Sequence, residues 1–110
     1  QKFNDKIYAD KVITEYIADI VNATRNPKEY DLDLDSMIEF GASPRASIWL
    51  MRTAKANALL NGRGFIIPED VKSVADEVLR NRIILTFEAE ANGINSDKII
   101  DFVLEKISPP

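Results

Sequence analysis

Apolar residues recur three and four positions apart in four segments of the chain, and this spacing predicts four amphipathic α-helices. The first is predicted from about Asn4, which suits a helix cap, to Thr24, because Asn26-Pro27 follows and ends a helix. Its apolar positions share one face and are expected in the core: Tyr8, Val12, Ile13, Tyr16, Ile17, Ile20 and Val21.

The second predicted helix spans about Pro44 to Asn61 and is apolar on nearly every side. A helix of this kind is usually central and buried. Its tryptophan, Trp49, is therefore expected to be largely buried and important for stability. Gly62 stands where a glycine commonly ends a helix.

Two more helices are predicted toward the end of the chain. Pro68 opens the third, and the acids Glu69 and Asp70 suit the positive end of its dipole, so they are interpreted as capping residues rather than catalysts. Asn92-Gly93 signals a turn, and Ser96 is predicted to cap the fourth helix. The apolar stripes are Val71, Val74, Ala75, Val78 and Leu79 in the third helix, and Ile100, Val103, Leu104 and Ile107 in the fourth.

The segments between the helices favour a loop and a minimal sheet. Residues 26–43 are predicted as a loop, with short extended pieces around Leu32 and Leu34. Ile83–Phe87 has strand character and is predicted to pair with Phe65–Ile67. The predicted fold is an all-α four-helix bundle with a minimal two-stranded β element, and residues 1–110 form one domain.

Composition removes several classes of function. The chain has no cysteine and no histidine, which excludes disulfides and both Ser-His-Asp and Cys-His catalysis. No apolar run approaches the ~18 residues of a membrane span, and we expect a cytoplasmic protein. The alternating acids Asp31, Asp33 and Asp35 suggest calcium, but a calcium loop beginning there would have Ser36 and Ala42 where glycine and glutamate are needed. A solvated acidic loop and no metal site are therefore predicted.

Charge is unevenly distributed along the chain. The net charge is −4, yet residues 41–64 contain no acid and four basic residues, which are Arg45, Arg52, Lys55 and Arg63. Two interpretations remain open from charge alone, a solvated basic face and a surface arranged to meet phosphate.

The run Gly41-Ala42-Ser43-Pro44-Arg45 is typical of a helix start that meets an anion. Ser43 is a good helix cap and Pro44 suits the first helical position. Arg45 opposes the helix dipole, at a cost of roughly 0.3–1 kcal/mol. A phosphate would remove this conflict, since it would meet free N–H groups, a favourable dipole and a guanidinium together.

The same run carries a resemblance to a known family. GASPRAS, the following Ala-rich helix, Asn61-Gly62-Arg63 and Ile67-Pro68-Glu69-Asp70-Val71 together resemble the C-terminal lid domain of MoxR-type AAA+ ATPases. The similarity also takes in Thr24-Arg25 and residues 78–82, and it covers about residues 5–107. One departure is Asn81, where the family usually has histidine.

This resemblance implies a site and its partners. Arg45 would be the sensor 2 arginine that reaches the ATP γ-phosphate, with Ser43 and Pro44 beside it at the nucleotide. The parent protein would bind ATP with Mg²⁺, while this chain lacks a phosphate loop and should neither bind nor hydrolyse ATP alone. The expected partners are the AAA+ core domain of the parent chain, neighbouring subunits of a ring and a protein client, for which the parent would act as a chaperone-like assembly factor. Arg25, Arg63 and Arg82 are candidate interface or structural arginines, and surface salt bridges are an equal alternative.

Two other classes of function remain as alternatives. A small helical DNA-binding domain would need a recognition helix with exposed polar side chains and a broad basic footprint. The apolar second helix and the net charge of −4 argue against it, so no nucleic-acid partner is expected. A protein-interaction bundle without a nucleotide is the other alternative.

Overall fold

The computed structural model describes residues 6–110, which form five α-helices and a two-stranded sheet. Within the part described, no helix is long and apolar enough to cross a membrane. The elements in chain order are α1 (Lys11–Arg25), a 3₁₀ turn (Pro27–Tyr30), β1 (Ile38–Phe40), α2 (Ala46–Leu60), α3 (Pro68–Leu79), β2 (Ile84–Leu85), α4 (Phe87–Ala91) and α5 (Ser96–Lys106).

Helix α1 begins later than the sequence predicts. Asn4, the predicted cap, lies outside the described residues, and the cap of α1 is Asp10, whose carboxylate accepts the N–H of Val12. The preceding segment is drawn into backbone pairing instead: Tyr8 N–H donates to the Gly64 carbonyl at 2.8 Å. Tyr8 in this segment and Val12 in the first turn of α1 are exposed, whereas the other five predicted core positions are buried.

Helix α2 is not buried on all sides, so that prediction was wrong. It buries one narrow stripe, made of Ala46, Leu50, Ala54 and Ala58 at intervals of four. These residues are mostly small, which lets α1 and α3 approach on this one side. Ile48, Leu59 and Leu60 are exposed, while Met51 is partly buried against the core. Trp49 is 45% exposed, which overturns its predicted burial.

Helices α3 and α5 match their predicted patterns closely. Helix α3 begins at Pro68 and buries all five predicted stripe residues. The cap of α5 is Asn95 rather than Ser96, because the Asn95 side chain accepts the Lys98 N–H at 2.9 Å. Gly62 and Gly93 both adopt a φ of +75°, the left-handed conformation that allows the chain to turn after a helix.

The two-stranded sheet is present, but its predicted partner was wrong. Strand β2 pairs antiparallel with β1, Ile38 opposite Leu85 and Phe40 opposite Ile84. Phe65 forms only an isolated parallel bridge with Tyr8, and Phe87 starts α4 instead of continuing the strand. Thr86 determines this ending, because its hydroxyl caps α4 by accepting the Ala89 N–H.

One continuous core joins these elements. Helices α2 and α3 are joined by a short connection and pack extensively on each other; α1 packs against α2, and α5 packs against α1 and α3. Leu32 and Leu34, from the predicted loop, are buried in the same cluster. Asp31, Asp33 and Asp35, which alternate with these leucines, remain exposed.

Asp76 on α3 is placed where its charge opposes folding. Its Oδ1 is buried with no hydrogen-bond partner among the described residues. Burial, followed by the nearby carboxylates Asp101 and Asp97 on α5, raises the pKa of Asp76, and Arg80 offsets this only in part. A raised pKa in the folded state means that stability is highest below the ordinary aspartate pKa and falls as pH rises through the raised value.

Asp76→Asn is therefore expected to increase the free energy of unfolding at pH 7 by about 0.5–1 kcal/mol. The increase should vanish near pH 3, where the wild-type carboxyl is already protonated. Thermal melts of both proteins at the two pH values measure it, with Glu77→Gln, an exposed acid on the same helix, as the control. Unchanged or lower stability at pH 7 would contradict this account of Asp76.

Candidate functional site

The chain enters α2 through a tight turn that carries Arg45. The N–H groups of Ala46, Ser47 and Ile48 donate to the carbonyls of Ser43, Pro44 and Arg45 at 2.9–3.1 Å. The helix cap is Arg45 itself, in helical conformation, so the prediction that the Ser43 hydroxyl caps the helix was wrong. The backbone carbonyl of Ser43, rather than its hydroxyl, bonds the first turn, because it accepts the Ala46 N–H at 2.9 Å.

This geometry changes what the helix start offers to an anion. An ordinary helix start presents several unpaired N–H groups, but here three of them are already used within the turn. The donors that remain for a phosphate are chiefly those of the Arg45 guanidinium, which forks toward two oxygens at once. The side chain of Arg45, more than the backbone, is therefore the hydrogen-bond donor that this turn leaves available.

Arg45 is exposed and available. Its neighbours Ser43 and Pro44 are exposed as well, whereas Ala42 and Ala46 on either side are buried. Three ion pairs form within residues 6–110, and Arg45 belongs to none of them. The turn 42–46 is thus held in the core by Ala42 and Ala46 and exposes the Arg45 guanidinium between them.

The base of the turn is attached to the end of α1. Thr24 is 1% exposed, and its hydroxyl donates to the Val21 carbonyl at 2.7 Å while accepting the Ala42 N–H at 2.9 Å. Gly41 lies directly against the backbone of α1, where an added Cβ would overlap the Thr24 carbonyl and approach the Arg25 Cα to 2.7 Å. This close approach is why a glycine precedes the turn.

The basic segment 41–64 does not form one basic face. Arg63 is used internally: its guanidinium pairs with Asp70, which is fully buried, and also reaches the Phe65 carbonyl. Arg52 lies over the Trp49 ring, 5.4 Å from its centroid. Arg52 and Arg63 therefore do not form one phosphate-facing surface with Arg45, and the candidate site consists of Arg45 and its immediate neighbours.

The other two candidate arginines occupy different surfaces. Arg82 lies over the Trp49 ring at 5.9 Å and donates to the Val78 carbonyl at 3.2 Å. Arg25, in the last turn of α1, borders a shallow pocket of about 380 Å³ together with Phe40, Ser43 and Pro44. The structure thus brings Arg25 near the Arg45 turn and places Arg63 and Arg82 in structural contacts.

The acidic loop shows no arrangement for a metal. Asp31 closes the 3₁₀ turn in a left-handed conformation, and Asp35 pairs with Lys28 at 3.4 Å. Across residues 6–110, no three acidic side chains come together as a group that could hold a metal ion.

Comparison with known proteins identifies the class of this fold. A family model described as the AAA lid domain matches residues 32–102. In a crystal structure from Cytophaga hutchinsonii, of a protein named "putative ATPase", one part superposes on this chain with a TM-score of 0.95. The two are 44% identical, and the match covers 99% of this chain and 33% of the other.

Two curated relatives narrow the family. The chain is 38% identical over 104 residues to Chaperone MoxR1 of Mycobacterium tuberculosis, covering 94% of this chain and 28% of that protein. It is 32% identical over 111 residues to Protein MoxR of Methylorubrum extorquens, covering 94% of this chain and 32% of that protein. The chain therefore belongs to the AAA lid domains, as the lid of a MoxR-family AAA+ ATPase, and spans about a third of the length of these relatives.

Proposed function

We propose that this lid closes over ATP bound to an AAA+ core domain and that Arg45 is the sensor 2 arginine that binds the γ-phosphate. The observation that carries the proposal is the placement of Arg45: an exposed guanidinium, outside the ion pairs of the described residues, on a turn fixed to the core at both ends. Ser43 and Pro44 are exposed on the same turn and would lie beside the nucleotide.

The chemistry of closure follows from a differential contact. A ligand shifts a conformational equilibrium only through an interaction that one state makes and the other does not. The γ-phosphate offers Arg45 a charge-assisted bond in the closed state, and hydrolysis removes it. Lid closure would then report whether ATP or ADP occupies the core domain, while Mg²⁺ and the phosphate loop act from that core domain.

The partners in this proposal are a core domain in the same chain, neighbouring subunits of a ring and a protein client. The family membership and the name of the chaperone relative support them. The whole assembly would use ATP hydrolysis to mature protein complexes.

Arg45→Ala in the full-length parent tests the proposal. The lost charge-assisted bond, about 1.5–3 kcal/mol, corresponds to about a ten- to hundredfold lower ATP turnover if it acts mainly in the transition state. Arg45→Lys should restore turnover only in part, because a point charge cannot reproduce the guanidinium fork. Steady-state turnover of the purified variants is the measurement.

Two controls separate this function from folding. Arg80→Ala removes the same type of side chain from an exposed ion pair with Asp97 and should leave turnover near wild type. Melts of the 110-residue chain with Arg45→Ala should show unchanged or slightly higher stability, because the arginine opposes the helix dipole. Normal turnover in folded full-length Arg45→Ala would show that the sensor assignment is wrong.

A further inference from the structure

We propose that Thr24 is a positioning residue for Arg45: its buried hydroxyl fixes the turn that carries the guanidinium. The inference rests on the proposed function of Arg45. It extends that function to a side chain on another helix that has no exposed surface through which to touch a nucleotide, since Thr24 is 1% exposed.

The Thr24 hydroxyl is used in both directions. It donates to the Val21 carbonyl one turn earlier in α1, at 2.7 Å. With its proton directed there, its lone pairs face the Ala42 N–H, which donates to it at 2.9 Å. The bond to the Val21 carbonyl is ordinary for a helical threonine, which commonly bonds a carbonyl of its own helix. The bond from the Ala42 N–H is different, because it links α1 to a segment 18 residues away.

The link leaves little freedom between Thr24 and Arg45. Gly41 is pressed against the α1 backbone, where an added Cβ would meet the Thr24 carbonyl, so this part of the turn cannot shift toward α1. Ala42 is 0% exposed and Ala46 is 1% exposed, which holds the turn in the core on both sides. Pro44 fixes one of the backbone angles between them.

The consequence for a phosphate ligand concerns preorganisation. A charge-assisted bond contributes fully only when the donor is already held in place, since ordering a mobile donor reduces the net gain. Without the Thr24 bond, the Ala42 N–H would be buried and unpaired, and the turn would relax toward water or another acceptor. The Arg45 guanidinium would then sample positions away from the γ-phosphate.

The test is a double-mutant cycle in the full-length protein, with ATP turnover as the first measurement. Thr24→Val keeps the shape and removes the hydroxyl, and it should lower kcat by about two- to tenfold, with a smaller change in KM. Thr24→Ser keeps the hydroxyl and should retain turnover within about twofold. Thr14→Val is the matched control, because its exposed hydroxyl bonds only the Asp10 carbonyl at the start of the same helix.

The decisive comparison is the effect of Thr24→Val on ATP turnover in the wild-type background and in an Arg45→Ala background. If Thr24 acts through Arg45, Thr24→Val should lower turnover no further there. Hydrogen exchange of the full-length protein should also show faster exchange of the 41–45 segment in Thr24→Val and a normal rate in Thr24→Ser.

Several outcomes would overturn the inference. If Thr24→Val lowers turnover equally in the wild-type and Arg45→Ala backgrounds, Thr24 is a general structural residue. If Thr24→Ser loses as much turnover as Thr24→Val, the hydroxyl is not responsible for the effect. Normal turnover in Thr24→Val with reduced turnover in Arg45→Ala would refute only this inference. Normal turnover in Arg45→Ala would refute the proposed function itself, and the positioning role with it.

Discussion

Asp70→Ala is expected to lower the free energy of unfolding of the 110-residue chain by about 3–5 kcal/mol, the scale at which removing one partner breaks a buried ion pair. The Asp70 carboxylate is 0% exposed and satisfies three groups. It accepts from Asn57 at 2.8 Å, from the Ile67 N–H at 2.8 Å and from both terminal nitrogens of Arg63. It thereby joins α2, the 61–67 connection and the start of α3, and alanine would remove this shared acceptor from all three donors.

Acid should reproduce part of this effect in the wild-type chain. Burial alone would raise the pKa of Asp70, but the hydrogen bonds from Arg63, Ile67 and Asn57 outweigh it and hold the pKa below its ordinary value. A lowered pKa in the folded state means that the carboxylate stabilises the fold above the ordinary aspartate pKa of about 3.9 and that this contribution is lost as pH falls through the lowered value. The stability gap between wild type and Asp70→Ala should therefore narrow in acid.

Chemical denaturation at pH 7 and pH 3 measures both effects. The matched control is Glu69→Ala, the neighbouring acid in the same first helical turn, which is exposed and should cost only about 0.3–1 kcal/mol through the helix dipole. If Asp70→Ala and Glu69→Ala were equally stable at pH 7, the Arg63–Asp70 ion pair would contribute no more to the free energy of unfolding than an exposed charge does.

Leu50→Ala is expected to destabilise the chain by about 3–5 kcal/mol through lost transfer energy and the cavity left behind. Leu50 is 0% exposed, and it is the one large residue in the buried stripe of α2, between the small residues Ala46 and Ala54. The alanines on either side bring the neighbouring helices close but offer no side chain that could fill the gap.

The same helix supplies the control for Leu50. Leu60 is 86% exposed, so Leu60→Ala makes the identical chemical change and should alter stability by about 0.5 kcal/mol or less. Denaturant unfolding of the two variants gives the comparison directly. Similar losses for Leu50 and Leu60 would mean that α2 is buried on both sides after all.

Local signals predicted those parts of the fold that neighbouring residues decide. Helix α3 has Pro68 at its first position and a clean apolar stripe, and its start and buried face were both confirmed. The turn at Gly62 was confirmed for the same reason, since a left-handed residue ends the helix there. These features depend on residues within one or two helical turns of each other.

Pairings between distant segments could not be predicted in the same way. The strand around Ile84 offers the same apolar pattern to any partner, and Phe65–Ile67 is as apolar as the segment around Ile38. Thr86 favours the actual partner strand, because its hydroxyl donates to the Ser36 carbonyl and its N–H donates to the Met37 carbonyl. For Trp49 the signal was local: Arg45 and Arg52, four residues before it and three residues after it, share its side of α2 and indicate that this side faces outward.

The candidate site was predicted at Arg45 but not in its supporting contacts. The combination of Ser43, Pro44 and Arg45 signals a helix start, and the structure begins the helix at Ala46 with Arg45, two residues after Ser43, at the cap position. Thr24 carries the supporting contact, and Asp70 carries a separate one near the opposite end of α2; each acts on residues from another element. A threonine near a helix end and an acid in a first turn have ordinary local roles, which concealed these longer contacts.

The contacts made by Thr86 also bear on the order in which the chain folds. Its hydroxyl bonds a carbonyl 50 residues earlier, so the β1–β2 pairing encloses both α2 and α3 in one long loop. Closing such a loop carries an entropy cost that the packing of the sequence-adjacent helices α2 and α3 does not have, and contacts of this range form late in small domains. We therefore expect the strand that leads into Gly41 to be anchored after the helices have assembled, and the turn that carries Arg45 to be among the last parts of the molecule to take its final shape.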